Sequence, residues 1–168
     1  MSSSSLLVTY NPNHKKKAED EVTAILSDIG EQAQIEEIWE GVFLIYAKDS
    51  RRAVEKLREM QKKDPTLFNY TSRWIPVDIW ISSDVNEMKE IMKKFNDQID
   101  ESESWKLDIG KRAYDMKNSE LIKELTSVMT KPKVDMKNPD VIINIEIFKE
   151  KTAISLLRKN EILKVSRK

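Results

Sequence analysis

The alternation of hydrophobic and polar positions predicts a first block of four strands and two helices. The predicted segments are a strand at 5–11, a helix at 15–29, strands at 34–39 and 42–47, a helix that follows Ser50 and is ended by Asp64 and Pro65, and a strand at 73–82. Gly30, Gly41 and Pro65 supply turn or stop signals between them, and Ser50 is the predicted cap of the second helix. The order βαββαβ is the ferredoxin-like arrangement.

A second block of helices and strands follows. Asp84 is the predicted cap of a helix, with Glu87 in the capping-box position three residues later. The remaining predicted elements are a strand at 105–114, a helix capped by Asn118 or Ser119 and running to 129, and strands at 140–148 and 152–157. The stretch 97–104 is acidic and is predicted to be a loop.

We therefore expect an α+β protein with two domains. The expected domains are a ferredoxin-like N-terminal domain at 5–83 and an α/β domain at 84–168, after a disordered start at 1–4. The first five residues, MSSSS, lack the basic and apolar regions of a signal peptide. No run of eighteen apolar residues occurs, so we expect no membrane-spanning segment.

The charges are balanced over the whole chain but not along it. Residues 1–104 contain 14 Lys and Arg against 20 Asp and Glu, which gives a net charge of −6. Residues 105–168 contain 15 Lys and Arg against 9 Asp and Glu, which gives +6. This asymmetry indicates a surface for a polyanion in the second half of the chain.

Basic residues follow the predicted strands and the last helix of that second half. The candidate binding residues are Lys111, Arg112, Lys131, Lys133, Lys137, Asn138, Arg158 and Lys159. If neighbouring strands carry them to one end of a sheet, they form a single patch that contacts phosphates without recognising a base sequence. The alternative is that these lysines are dispersed charges that maintain solubility.

The turn before the strand at 140–148 favours the first interpretation. Pro139 restricts Asn138 to an extended or turn conformation, so the preceding lysines are expected to lie on a rigid, exposed segment. Asp135, Asn138 and Asp140 are expected to satisfy backbone groups around this turn.

The residues of most enzyme sites are missing from the sequence. There is no cysteine, and the single histidine, His14, stands beside three lysines, where we expect a solvated cap rather than a base. The three glycines are too far apart for a phosphate-binding loop. We therefore expect a protein that is not an enzyme by itself, that needs no metal or cofactor, and that resides in the cytoplasm, since a chain without cysteine forms no disulfides and suits a reducing compartment.

Four motifs in the second half resemble the THUMP domain in order and spacing. They are WKLDIGKR (105–112), NSELIKEL (118–125), KVDMKNPDVIINIEI (133–147) and AISLL (153–157). The resemblance covers roughly 84–168, and the first block is similar to the ferredoxin-like domain that commonly precedes THUMP. THUMP domains bind tRNA and deliver it to a domain that modifies one nucleoside, often on the same chain.

The resemblance implies a partner and a set of contacts. The sequence ends at Lys168, so we expect no modification domain, as in the stand-alone THUMP proteins that assist tRNA cytidine N4-acetylation. The expected partners are the acceptor-end region of tRNA and a separate acetyltransferase, with neither DNA nor a membrane. The motif carries Lys111, Arg112, Lys133, Lys137 and Asn138 as RNA contacts; Lys131, Arg158 and Lys159 rest on charge and position alone.

Three other functions stay open from the sequence. The chain could be a targeting subunit for tRNA thiolation or methylation. It could also be an enzyme with a small-molecule site between its domains, or a protein-interaction scaffold that binds no RNA. In the adaptor hypothesis, the acidic first domain sets distance and direction or contacts the enzyme.

Overall fold

The computed structural model describes residues 4–32 and 34–165, which form nine strands and four helices. In chain order these are β1 (Ser4–Tyr10), α1 (Lys15–Asp28), β2 (Ile35–Trp39), β3 (Val42–Ala47), α2 (Ser50–Lys63), β4 (Thr71–Val77), β5 (Ile79–Ser82), α3 (Val85–Gln98), β6 (Trp105–Arg112), α4 (Asn118–Thr126), β7 (Val141–Phe148), β8 (Lys151–Arg158) and β9 (Leu163–Lys164). None of the helices within the described ranges is both long and apolar enough to cross a membrane.

The structure divides into two compact units. The first comprises the described parts of Met1–Val77 and Asn160–Lys168, and the second comprises Asp78–Lys159. The sheet of the first unit has the strand order β2-β3-β1-β4-β9, with every neighbouring pair antiparallel. Its first four strands and two helices follow the predicted βαββαβ order, so the ferredoxin-like arrangement is confirmed.

The core of the first unit forms between its helices and its sheet. The buried residues of α1 recur at helical spacing, as predicted: Ala18, Val22, Ile25 and Leu26. They share one hydrophobic cluster with Leu57 of α2, Phe43 of β3 and Trp74 of β4, all at most 1% exposed. Burial of these large side chains supplies the main stabilisation of the unit.

The second unit is built on a sheet with the order β5-β8-β7-β6. β6 and β7 are parallel and are connected through α4, whereas β7 and β8 form an antiparallel hairpin. All eight residues of β7 are buried. Its alternate residues Val141, Ile143, Ile145 and Ile147 share one hydrophobic cluster with Met88 and Phe95 of α3 and with Leu121 and Leu125 of α4.

The strand predicted at 73–82 is two strands in different sheets. The break lies at Asp78, whose N–H donates to the carbonyl of Ile154 at 3.1 Å. The Asp78 carboxylate accepts the N–H of Leu156 at 2.8 Å. These bonds attach the residue to β8, so the chain leaves the first sheet at Val77 and β5 joins the second.

The last residues belong to the first unit, which differs from the predicted boundary. β9 pairs with β4, matching Leu163 with Trp74, and Leu163 is 2% exposed. Arg58 donates to the carbonyl of Ile162 at 3.1 Å. Arg51 forms an ion pair with Glu161 at 2.7 Å. The tail therefore completes the first sheet, and the second unit ends at Lys159.

Chain start and helix caps differ in detail from the predictions. Of the predicted disordered start, residues 1–3 lie outside the described part of the chain, whereas Ser4 begins β1. The cap of α2 is Asp49, whose carboxylate accepts the N–H of Arg52 at 3.1 Å, rather than Ser50.

In the second unit, one predicted helix cap is confirmed and the other is wrong. Asp84 caps α3 as predicted and accepts the N–H of Glu87 at 3.2 Å. The residue at the N-cap of α4 is Lys117, whose side chain makes no capping bond, rather than Asn118 or Ser119.

Candidate nucleic-acid interface

The register of the second sheet separates the predicted cations into two groups. β6 pairs Trp105 with Val141, and β8 pairs Arg158 with the same residue. Lys111 and Arg112 lie at the other end of β6, about 23 Å away at the usual rise per strand residue. A single patch required all of these cations to lie at one end of the sheet. The structure instead has a loop end, where β6 and β7 begin, and a hairpin end, where β7 turns into β8.

At the hairpin end, both predicted cations have partners within the second unit. Arg112 donates to the carboxylate of Glu146 at 2.9 Å, and Glu146 is only 2% exposed. The guanidinium also lies over the ring of Phe148, 4.7 Å from its centroid. Lys111 donates to the carbonyl of Met116. These contacts give both side chains a structural role, and RNA contact by them remains a prediction.

Gly110 provides the space for the buried carboxylate of Glu146. A Cβ at this position would lie 2.9 Å from the carboxyl carbon of Glu146 and closer still to one oxygen. That carboxylate cannot move aside freely because it is buried and paired with Arg112. The glycine is therefore required by close approach rather than by an unusual backbone conformation.

At the loop end, residues 131–140 form a segment that we call the lysine loop. Trp105 holds its first half through three hydrogen bonds. The indole Nε1 donates to the carbonyl of Lys131 at 3.0 Å, and the Trp105 N–H donates to the carbonyl of Lys133 at 2.9 Å. The N–H of Asp135 in turn donates to the Trp105 carbonyl at 3.1 Å. Trp105 is 5% exposed, so the loop is tied to a buried side chain.

Carboxylates hold the second half of the lysine loop. Asp135 accepts the N–H groups of Lys137 and Asn138, each at 3.0 Å. Asp140 accepts the N–H of Ser104 at 2.9 Å. The bond from Asn138, followed by that from Lys137, lowers the pKa of Asp135, and the bond from Ser104 lowers the pKa of Asp140. The predicted backbone role of these two acids is confirmed.

The lysine loop presents mainly exposed side chains. Lys133, Lys137 and Asn138 are exposed, and Lys131 is half-buried. Lys133 makes one long contact, 3.4 Å from its Nζ to the carbonyl of Ser102. The backbone is thus fixed while the ammonium groups stay accessible, which is the arrangement that a phosphate-binding surface requires.

Arg158 and Lys159 complete the loop end in different ways. Arg158 pairs with the carboxylate of Glu103 through its Nε at 3.2 Å and through one terminal nitrogen at 3.3 Å. This pair lowers the pKa of Glu103. Lys159 is exposed, and its charge contributes to the lowered pKa of both Asp135 and Asp140. Among the two, Lys159 is the better placed for an external anion.

Acidic side chains share the loop end, so its charge is mixed. Asp100 and Glu101 line an open depression together with Lys131. The pKa of Asp100 is lowered mainly by its hydrogen bonds from Ser102, with smaller contributions from Lys131 and Lys133. At this end of the sheet the lysines are interspersed with carboxylates, which would repel a polyanion. We therefore predict binding that is sensitive to salt rather than very tight.

Sequence reasoning missed the importance of Trp105 and of Glu146. Trp105 was predicted only as the start of a strand, although its indole and backbone together hold the lysine loop. Glu146 lies within the strand predicted at 140–148, and its pairing with Arg112 does not follow from that strand alone. A tryptophan at a strand start and a glutamate inside a strand that is apolar apart from Asn144 were the available signals.

The sequence model of the THUMP domain matches residues 82–157, just under half of the chain. A THUMP domain is therefore present and contains the lysine loop. A comparison with curated proteins gave no significant match.

Several solved structures resemble the chain in fold. PH1313 from Pyrococcus horikoshii Ot3 is 13% identical, with a TM-score of 0.66 over 92% of this chain and 55% of its own. A 4-thiouridine synthetase–RNA complex with bound ATP is 18% identical, with a TM-score of 0.57 over 97% and 42%. TrmN from Thermus thermophilus is 12% identical, with a TM-score of 0.59 over 91% and 45%. The chain thus spans about half the length of these proteins.

Proposed function

We propose that this chain, in which residues 82–157 form a THUMP domain, binds tRNA and presents it to a separate tRNA-modifying enzyme. The observation that carries the proposal is the lysine loop, which lies inside the matched segment. Trp105 and Asp135 fix its backbone, while Lys133 and Lys137 remain exposed. This combination favours phosphate contact because the backbone that carries the two lysines needs little further ordering when RNA binds.

The proposed binding mode uses the backbone of tRNA near its acceptor end. Lys133, Lys137 and Lys159 are exposed lysines of the loop end, and no base-specific geometry is needed for lysines to attract phosphates. Lys131 and Asn138 are proposed as neighbouring contacts. Arg158 is proposed only as a secondary contact because Glu103 already occupies it.

The amino-acid composition favours a function in which a separate enzyme catalyses the modification. The chain has no cysteine, one histidine and three widely separated glycines. We therefore propose that it is not an enzyme by itself and that it acts in the cytoplasm. The enzyme that we propose as its partner is a cytidine N4-acetyltransferase, on the basis of the family resemblance.

A second candidate is a targeting role in thiolation. It is favoured by one observation, the likeness in fold to a 4-thiouridine synthetase whose structure contains RNA and ATP. In that case the chain would deliver tRNA to a thiolating enzyme through the same lysine loop. The two candidates share the binding step and differ in the modified nucleoside.

Nucleoside analysis of tRNA from cells that lack the gene should separate the two candidates. We expect N4-acetylcytidine to disappear from the tRNA pool while other modified nucleosides stay at their usual level, because the acetyltransferase loses its tRNA-presenting partner. Mass spectrometry of digested tRNA measures both. Loss of 4-thiouridine instead would support the thiolation role.

Complementation provides the matched control. The wild-type gene should restore the missing nucleoside, whereas a gene with Lys133→Glu and Lys137→Glu should restore much less. A full set of modified nucleosides in the deletion strain would overturn both candidate functions.

A further inference from the structure

We propose that Asp135 is a positioning residue of the RNA interface. It favours tRNA binding, despite its negative charge, because it holds the backbone of the turn that carries Lys137. The inference rests on the proposed function and deepens it. The carboxylate shapes the turn from which Lys137 and Asn138 project. Its charge is therefore less important for binding than the two hydrogen bonds that it accepts.

The contacts of Asp135 join the two halves of the lysine loop. Its own N–H donates to the carbonyl of Trp105 at 3.1 Å, which fixes the residue beside the start of β6. Its Oδ1 accepts the N–H groups of Lys137 and Asn138, each at 3.0 Å. Asp135 thus connects the start of β6 to the second half of the lysine loop through hydrogen bonds.

Asp135 has a specific place among the supports of the loop. Within the lysine loop, the hydrogen bonds described for Trp105 are to Lys131, Lys133 and Asp135, which all lie in its first half. The next anchor is the bond between Asp140 and Ser104. Between these two anchors, the carboxylate of Asp135 is the group that accepts the backbone N–H groups of the turn. Removing it frees the turn that carries Lys137.

Two opposite effects on binding distinguish positioning from simple electrostatics. If only charge mattered, replacing Asp135 with a neutral residue would strengthen tRNA binding, because one repulsive charge would be gone. If positioning dominates, loss of the acceptor should weaken binding, because the lysine must be ordered when RNA binds. The sign of the change therefore decides between them.

The experiment compares Asp135→Ala with Asp135→Asn, using an unmodified tRNA transcript as the probe. Asp135→Ala should bind about 5-fold more weakly than wild type, as expected for a loosened turn. Asp135→Asn retains an oxygen that can accept both N–H groups, so it should bind at least as tightly as wild type. Filter binding at one low salt concentration measures both.

Glu101→Gln is the matched control for loss of charge. Glu101 is exposed and lines a depression with Lys131 at the same end of the sheet. Its neutral variant should bind slightly more tightly, by about 2-fold. The inference is overturned if Asp135→Ala behaves like this control, or if Asp135→Asn binds as weakly as Asp135→Ala.

Amide hydrogen exchange in the free protein tests the same inference without RNA. The N–H groups of Lys137 and Asn138 should exchange faster in Asp135→Ala and at wild-type rates in Asp135→Asn. Unchanged exchange in Asp135→Ala would overturn the inference alone. Absence of tRNA binding by the wild-type chain would instead overturn the proposed function, and with it the RNA part of this inference.

Discussion

Reversing the charge of Lys133 and Lys137 together should weaken tRNA binding by about 100-fold at low salt, or about 2.7 kcal/mol. Both side chains are exposed on a loop whose backbone is fixed. Lys133→Glu and Lys137→Glu remove two phosphate contacts and add two repulsive charges. The slope of log affinity against log salt concentration should fall in magnitude by roughly 1.5. Gel shift over a salt series measures both quantities.

The matched control for this pair lies at the hairpin end of the same sheet. Lys149 and Lys151 are also exposed, so Lys149→Glu with Lys151→Glu changes the net charge by the same amount. At about 0.1 M salt we expect a loss of less than about 3-fold, because charges at the other end of the sheet then lie beyond the Debye length of about 10 Å. Equal losses for the two pairs would show that total charge, rather than the lysine loop, determines binding.

Replacing Arg112 with alanine should destabilise the second unit by about 3 kcal/mol. The substitution removes the ion pair between Arg112 and the carboxylate of Glu146, a side chain that is only 2% exposed. It also removes the guanidinium from the ring of Phe148. Urea unfolding followed by circular dichroism measures the change, which should appear in the transition of the second unit if two transitions are resolved.

A second variant shows whether the buried charge is responsible for this loss. Combining Arg112→Ala with Glu146→Gln also removes the buried negative charge, so the double variant should recover part of the lost stability. The folded fraction of Arg112→Ala should bind tRNA within about 3-fold of wild type. A stable Arg112→Ala variant with strongly impaired tRNA binding would contradict this account and restore Arg112 as a direct contact.

Hydrophobic spacing was sufficient to predict most strands and helices. In β7 the alternate residues Val141, Ile143, Ile145 and Ile147 are all apolar, which predicted a strand with one buried face because every second side chain faces the same layer. The turn signal at Gly41 lies between the strands predicted at 34–39 and 42–47, and it predicted the hairpin of β2 and β3. These are local patterns, and the core of each unit follows from them.

The ends of the second sheet were predictable in principle but were not deduced. A strand–helix–strand connection such as β6, α4 and β7 is usually parallel. Parallel strands place Arg112, at the end of β6, beside Phe148, at the end of β7, and far from the lysines that precede β7. The topology therefore separates the two groups of cations, whereas counting charges along the chain combined them.

Other features depend on contacts between distant residues and left no local pattern. The break at Asp78 depends on hydrogen bonds to β8, more than seventy residues later in the chain. Likewise, β9 has two residues, and its place is set by pairing with β4. The ion pair of Arg112 with Glu146 depends on the pairing of β6 with β7. The hydrogen bonds between Trp105 and the lysine loop likewise join residues about 26 to 30 positions apart, so neither could be inferred before the strands were placed together.

Binding of tRNA by the wild-type chain tests the central claim most directly. A gel shift across a salt series, with a DNA duplex of similar length as control, is the measurement. With the four lysines Lys131, Lys133, Lys137 and Lys159 as phosphate contacts, we predict a log–log slope of about −3 and at least about 10-fold preference for tRNA. No tRNA binding at low salt, or equal binding to the DNA duplex, would contradict the account.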